Sequence, residues 1–199
     1  MTVPPEVLER IVTRVQDAAP RLPGPAAGEP WRRIRLVCID GPAGSGKSTL
    51  ASQLAVELAA PVVHLDDLYE GWAAGPDGGA RRLREWVLEP LVAGRAGRYR
   101  RYDWLAGVYA EEHDVEIAPV VVVEGCGAGA RQVDPWCALK VWVEADDAER
   151  LRRGLARDGQ DAREQWLRWM ADEAAHYARE RTRERADVLL DGFGQEVAR

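Results

Sequence analysis

Residues 41–48, Gly41-Pro42-Ala43-Gly44-Ser45-Gly46-Lys47-Ser48, follow the spacing G-x-x-x-x-G-K-[ST]. They stand between an apolar run, Ile34 to Ile39, and a helix-forming stretch, Ser48 to Leu58. Strand, glycine-rich loop and helix in that order make a cradle for a phosphate group. Glycine at 41, 44 and 46 lets the backbone N–H groups approach phosphate oxygens with no Cβ between them. The helix N-terminus adds its positive end, Lys47 can reach the β- and γ-phosphates, and the Ser48 hydroxyl can ligate magnesium. The expected nucleotide contacts are therefore Gly41, Ala43, Gly44, Ser45, Gly46, Lys47, Ser48 and Thr49, with ATP and Mg2+ as cofactors. Residue usage supports this. Lys47 and Lys140 are the only two lysines among 27 basic residues, so a lysine at the one position that needs a compact ammonium is not a product of bias.

The rest of the chain alternates strand and helix patterns. Pro4 to Ala19 has an amphipathic stripe of Val7, Leu8, Ile11, Val12 and Val15, and Pro20, Pro23, Pro25 and Pro30 form a linker. Residues 1–32 are thus expected to be a leader helix and linker packed on the outside of a phosphate-loop domain at 33–199. Strands are expected at Pro61 to Leu65, Val120 to Val123, Leu139 to Val143 and Val188 to Leu190. Helices are expected at Ala80 to Ala93, at Asp146 to Arg157 and, as one long element, at Asp161 to Arg185, while Gly71 to Gly79 reads as a turn-rich loop. Short strands apolar on both faces, separated by helices, imply a mostly parallel sheet covered on both sides. The fold expected is a three-layer α/β P-loop NTPase fold with a helical lid.

Composition narrows the partners. A net charge of −6 argues against a nucleic-acid binder. The longest strongly apolar run, Ile117 to Val123, cannot span a bilayer. Three scattered cysteines with no C-x-x-C suit reduced thiols in the cytoplasm. The expected partner is a small-molecule substrate, without nucleic acid or membrane, and a homo-oligomer is compatible with the sequence.

In parallel α/β sheets the reactive groups gather at the carboxyl ends of the strands. Asp66 and Asp67 end the second expected strand, Glu124 the third and Glu144 the fourth. Phosphoryl transfer to a hydroxyl needs a carboxylate on the acceptor side and a magnesium ion on the phosphates. Asp66 or Asp67 suits the first task, and Glu124 with Ser48 the second. Alternation along an extended chain would point Asp67 to the opposite side from Asp66. Arg150, Arg152, Arg153 and Arg157 share a helix that could close over a triphosphate. Arg179, Arg181, Arg183 and Arg185 alternate with acids as on an ion-paired surface, and Trp166, Trp169, Met170 and Tyr177 have core spacing.

The ordered set Gly41 to Thr49, Asp66-Asp67-Leu68-Tyr69, Tyr102-Asp103-Trp104 and Val121 to Gly125 resembles the uridine kinase family of P-loop kinases, from about Ile34 to Leu190. The resemblance implies that Asp66 is the base for a nucleoside hydroxyl, that Tyr69, Tyr102 and Asp103 line the substrate pocket, and that Arg153 and Arg157 are lid arginines. Trp72 to Gly79 replaces the family's D-H-P segment, Gly107 stands where a base-contacting histidine would fall, and Gly154 replaces a second lid arginine. The activity this implies is transfer of the γ-phosphate of Mg-ATP to a small-molecule hydroxyl, most like that of uridine or cytidine. The alternatives are a nucleoside monophosphate kinase, for which Arg81, Arg82 and Arg84 could hold the acceptor phosphate, and a regulatory nucleotide-binding module.

Overall fold

A computed structural model describes residues 2–23 and 33–198. Helix α1 (Pro5–Asp17) is followed by a two-residue strand, β1 (Leu22–Pro23), and then by β2 (Arg33–Asp40), α2 (Lys47–Leu58) and β3 (Val62–His64). The Pro25 and Pro30 part of the expected linker lies outside the described residues. A helical run follows: α3 (Gly75–Arg82), a π-helical stretch (Leu83–Leu88) and α4 (Glu89–Val92). The antiparallel hairpin of β4 (Gly97–Asp103) and β5 (Val108–Val115) comes next. The chain ends through β6 (Val120–Glu124), β7 (Cys137–Val143), α5 (Asp147–Asp158), α6 (Arg163–Glu180), α7 (Thr182–Arg185) and β8 (Val188–Leu190).

The central sheet runs β3-β6-β2-β7-β8, all parallel, with β1 antiparallel on the start of β2. Each of these strands carries an apolar run because each is covered on both faces. One face packs Leu36, Cys38, Val121 and Val123 toward the α3–α4 run and the hairpin, and the other packs Val37, Ile39, Val122 and Val141 against α1 and α2. α1 contributes Val7, Ile11 and Val15 to that second core, as its stripe predicts.

Three expectations change. The Gly71–Gly79 segment is not a loop throughout, since α3 begins at Gly75. Gly79 serves close packing there, and a Cβ would come within 2.2 Å of the Tyr69 ring. The helix after it widens into π geometry, with Glu89 N reaching Arg84 O, just before Pro90, which has no N–H to give to the preceding turn. The long terminal helix is broken. Arg181 takes a left-handed φ of 53°, which starts α7 and turns the chain into β8.

Candidate active site

The carboxyl ends of β2, β3 and β6 open into a cavity of about 820 Å3. Its floor is the loop between β2 and α2. Ala43, Gly44, Gly46, Lys47, Ser48 and Thr49 all line it. Gly41 does not. It lies where a Cβ would sit 2.0 Å from Val143 O, so this glycine seats the loop on the end of β7 instead of meeting a ligand. Ser45 is also turned inward, fully buried, and its hydroxyl has no hydrogen-bond partner among the described residues.

Lys47 is 6% exposed and donates to Pro42 O at 2.9 Å. Burial works against its charge, but the Cys126 sulfur and the Glu124, Glu173 and Asp66 carboxylates outweigh that and hold its pKa above the ordinary value. Ser48 Oγ donates to Glu124 Oε1 at 3.0 Å, so the two residues expected to serve magnesium meet. His64, at the end of β3, puts Nδ1 2.6 Å from the same Glu124 oxygen. That hydrogen bond, against the effect of burial, raises the imidazole's pKa. Sequence spacing gave no sign of His64, because the contact is made between neighbouring strands in register, His64 opposite Glu124.

Asp66 and Asp67 both line the cavity. The expected alternation is lost because Leu65–Asp67 wind into a 3-10 turn. Their surroundings still differ. Asp66 opens to solvent inside the cavity but is ringed by protein. That enclosure, with Glu124 beside it, raises its pKa against the pull of Lys47 and Arg157. Asp67 turns to the hairpin, where Tyr99 donates to its Oδ2 at 3.3 Å. Partial burial raises its pKa too, opposed chiefly by His64.

The hairpin and the α3 side supply an aromatic wall of Tyr69, Trp72, Tyr102 and Trp104, continued by Trp166 and Trp169 from α6. Trp72 meets Trp104 edge-on at 5.3 Å between centroids and Trp169 at 6.0 Å. Tyr69 is wall only: it is 1% exposed and its hydroxyl donates to Cys126 O at 2.6 Å. Asp103 leaves the site altogether. Its Oδ1 accepts from Leu105 N at 3.0 Å and Ala106 N at 2.9 Å, closing the hairpin turn. Trp166 and Trp169 are core residues, as expected, whose edges also reach the cavity.

Of the arginines on α5, Arg153 and Arg157 line the cavity. Arg153 donates to Gly44 O at 3.2 Å and to Glu149, and Arg157 pairs with Asp158 through two bonds and lies over Trp166. Arg150 is instead buried beneath the loop. It donates to Ala43 O at 3.0 Å and to Glu173 on α6, while Glu173 Oε2 accepts from Ala43 N at 2.8 Å. The Ala43 N–H, expected on a phosphate, is therefore already taken. Glu173 was missed by the sequence reading, although its spacing from Trp169 and His176 places it on the buried stripe of α6. Asp40, at the end of β2, does similar work. Its carboxylate accepts from Gly41 N, Gly127 N and Gly129 N at 2.7–2.9 Å and from the Tyr177 hydroxyl, binding the loop after β6 to the phosphate loop. Glu144 faces away, held by Arg183 and the Trp142 indole. Arg179, Arg181 and Arg183 are exposed and ion-paired, as expected, while Arg185 is partly buried against Asp134 and Gly129 O.

A family model described as an AAA domain matches residues 37–187. The chain belongs to the AAA domain family. The match runs from within β2 to the residue before β8, so it takes in residues 41–49, Asp66, Glu124, Arg153 and Arg157. Among curated proteins it is 37% identical over 137 residues to cytidylate kinase of Nitratidesulfovibrio vulgaris and 31% identical over 130 residues to that of Pseudomonas aeruginosa. Those alignments take in 68% and 64% of this chain, which spans only 56% and 57% of the relatives' lengths. Among solved structures, one described as a possible uridine kinase from Bacillus stearothermophilus superposes with a TM-score of 0.64 at 18% identity, covering 92% of this chain and 97% of that one. That likeness is one of fold. It bears out the mostly parallel sheet with flanking helices expected for a P-loop kinase architecture. Among the described residues no helix is long and apolar enough to cross a membrane.

Proposed function

We propose that this AAA domain is a kinase that moves the γ-phosphate of Mg-ATP to a hydroxyl of a small molecule, most like a nucleoside. The observation that carries this is Asp66, which lines one cavity with Lys47, Ser48 and Glu124 and feels the charges of Lys47 and Glu124. A carboxylate so placed can orient an alcohol in line with the γ-phosphate and take its proton as the new P–O bond forms. Lys47 and the N–H groups of Gly44, Gly46, Lys47 and Ser48 would hold the phosphates, Ser45 N and Thr49 N being bonded to Pro42 O and Gly46 O, and Arg153 and Arg157 would lie over the transferring group from the α5 side. Swinging Arg157 off Asp158 is the closing movement this requires.

The donor set fits magnesium. Ser48 Oγ and Glu124 Oε1 are hard oxygen ligands, and among the described residues no group of three or more His, Cys, Asp or Glu side chains forms a metal cage. A two-ligand site completed by phosphate oxygens and water is how this ion is usually held. Bound there, it would neutralise charge developing on the β- and γ-phosphate oxygens.

The similarity to cytidylate kinases favours a second reading, in which the acceptor is a nucleoside monophosphate. That acceptor needs cations in its pocket. Arg82 is instead buried against Glu70, Arg84 pairs with Glu89, and Arg101, which does line the cavity, is held by two hydrogen bonds to Glu111. Arg81 carries no ion pair but, like Arg82 and Arg84, does not line the cavity, so among the described residues the acceptor half offers no unengaged guanidinium in its lining, which favours a hydroxyl. ADP release measured against nucleosides, nucleoside monophosphates, sugars and vitamin alcohols tests the choice. Stimulation by a nucleoside supports the first reading; stimulation only by a monophosphate replaces it with the second.

A further inference from the structure

Resting on the nucleoside reading above, we infer that Asp67 is the specificity residue of the acceptor pocket, selecting a base that carries an exocyclic amine, as cytosine does, over the oxo base of the same shape. The argument is an inventory of donors and acceptors in the aromatic half of the cavity. Trp72, Trp104 and Tyr102 offer ring surface, and stacking on aromatic rings holds any planar base with little discrimination. Selection must then come from the polar atoms beside those rings.

Most of those atoms are spent. The Trp104 indole N–H donates to Asp66 O at 3.0 Å, and the Tyr69 hydroxyl donates to Cys126 O. The Arg101 Nε and Nη2 groups donate to Glu111 at 2.6 and 3.1 Å, with Asp103 at 3.6 Å. No histidine follows Tyr102 closely, Gly107 standing in the turn. The Tyr102 hydroxyl can donate or accept and so favours neither base. Asp66 faces the phosphate loop and is reserved for the reacting hydroxyl. Among the acceptors beside the rings Asp67 remains, on the hairpin side of the same cavity. It receives one long hydrogen bond, from Tyr99 at 3.3 Å, and keeps lone pairs that can only accept.

An amino group placed against this carboxylate gives a charge-assisted hydrogen bond. A carbonyl in the same place sets two acceptors against each other in a partly dry pocket, and sites built around a hydrogen bond reject the analogue that cannot make it far more strongly than apolar pockets reject a size change. The position is also distinctive in sequence, since an acid follows the acid expected to act as base.

The test is the ratio of kcat/KM for cytidine to that for uridine, at saturating Mg-ATP, in the wild type and in Asp67→Asn. An asparagine amide can turn either its oxygen or its N–H2 to the base, so it keeps the shape and removes the bias. The wild type should prefer cytidine by about tenfold or more, and the variant should bring the ratio close to one while its KM for ATP stays unchanged. Equal use of the two nucleosides by the wild type overturns the inference and leaves the kinase reading intact. So does a preference that survives in Asp67→Asn, with folding of the variant confirmed by its melting temperature. Inertness toward every nucleoside removes the nucleoside reading itself, and the inference with it.

Discussion

Asp66 carries opposed demands, because the enclosure that readies it for a proton also penalises its charge. Its raised pKa places the acid limb of kcat/KM above the ordinary carboxylate range, with activity lost as the pH falls through that raised value. Stability runs the other way. A carboxyl whose folded pKa lies above its unfolded one favours the protonated fold, so below the unfolded value the fold has the full benefit. That benefit is lost as the pH rises through the folded value. Asp66→Asn should therefore lower kcat by about a hundredfold or more while raising, or at least keeping, the melting temperature at neutral pH. A variant that turns over normally ends the case for Asp66. For Lys47 the same conflict is decided the other way, since burial penalises its charge but the neighbouring groups outweigh that. Lys47→Ala should cost on the order of 3 kcal/mol of transition-state stabilisation, read as the fall in kcat/KM, and should weaken ATP binding in calorimetry.

At the scale of elements, the parts that obey a local rule were legible in the sequence. β2, α2, β6 and α5 were placed to within a residue or so, because an apolar run or a 3.6-residue stripe decides them. What escaped depends on distant neighbours. The β4–β5 hairpin has mixed burial and many charges, so its strands show no clean alternation. The break at Arg181 carries no glycine or proline to announce it. Asp103 carried a family expectation that the fold spends on a turn, whereas Tyr69 lines the cavity as that resemblance implied. The brace from α5 and α6 onto Ala43 belongs to this class as well. Glu173→Gln would leave Arg150 buried with half its compensation and should destabilise the protein by about 3 kcal/mol in urea unfolding. An unchanged midpoint would show the brace to be idle. Gly154 marks another such contact. It passes so close to Trp166 that a Cβ would lie 2.2 Å from the ring, so Gly154→Ala should cost about 1–3 kcal/mol and disturb the wall that Trp166 gives the cavity.

The whole molecule divides its labour across the sheet. The cavity opens at the carboxyl ends of the strands; one face of the sheet carries the α3–α4 run and the hairpin wall, and the other is closed by α2 together with α1, which lies before the matched family region. α1 is bound there by Val3, Val7, Ile11 and Val15, all at most 1% exposed, by Val3 N on Gln53 at 3.1 Å, and by Arg14 on Glu196 at 2.8 Å near the other end of the chain. Burying an aliphatic side chain of this size stabilises by about 1.5–3 kcal/mol. The four together reach roughly 6–12 kcal/mol as an upper bound, because unfolded chains already bury some of that surface. Domains of this size are stable by only about 5–15 kcal/mol. Removal of residues 1–17 should therefore do more than trim a leader. It would uncover Val37, Ile39, Val141 and Leu190 on a contiguous apolar face, although no residue of the cavity is touched. The truncated chain is expected to aggregate on expression or to melt far below the full-length protein, with ATP binding lost only as a consequence. A truncated chain that remains monomeric, melts as the full-length protein does and binds ATP with unchanged affinity would make α1 a dispensable leader.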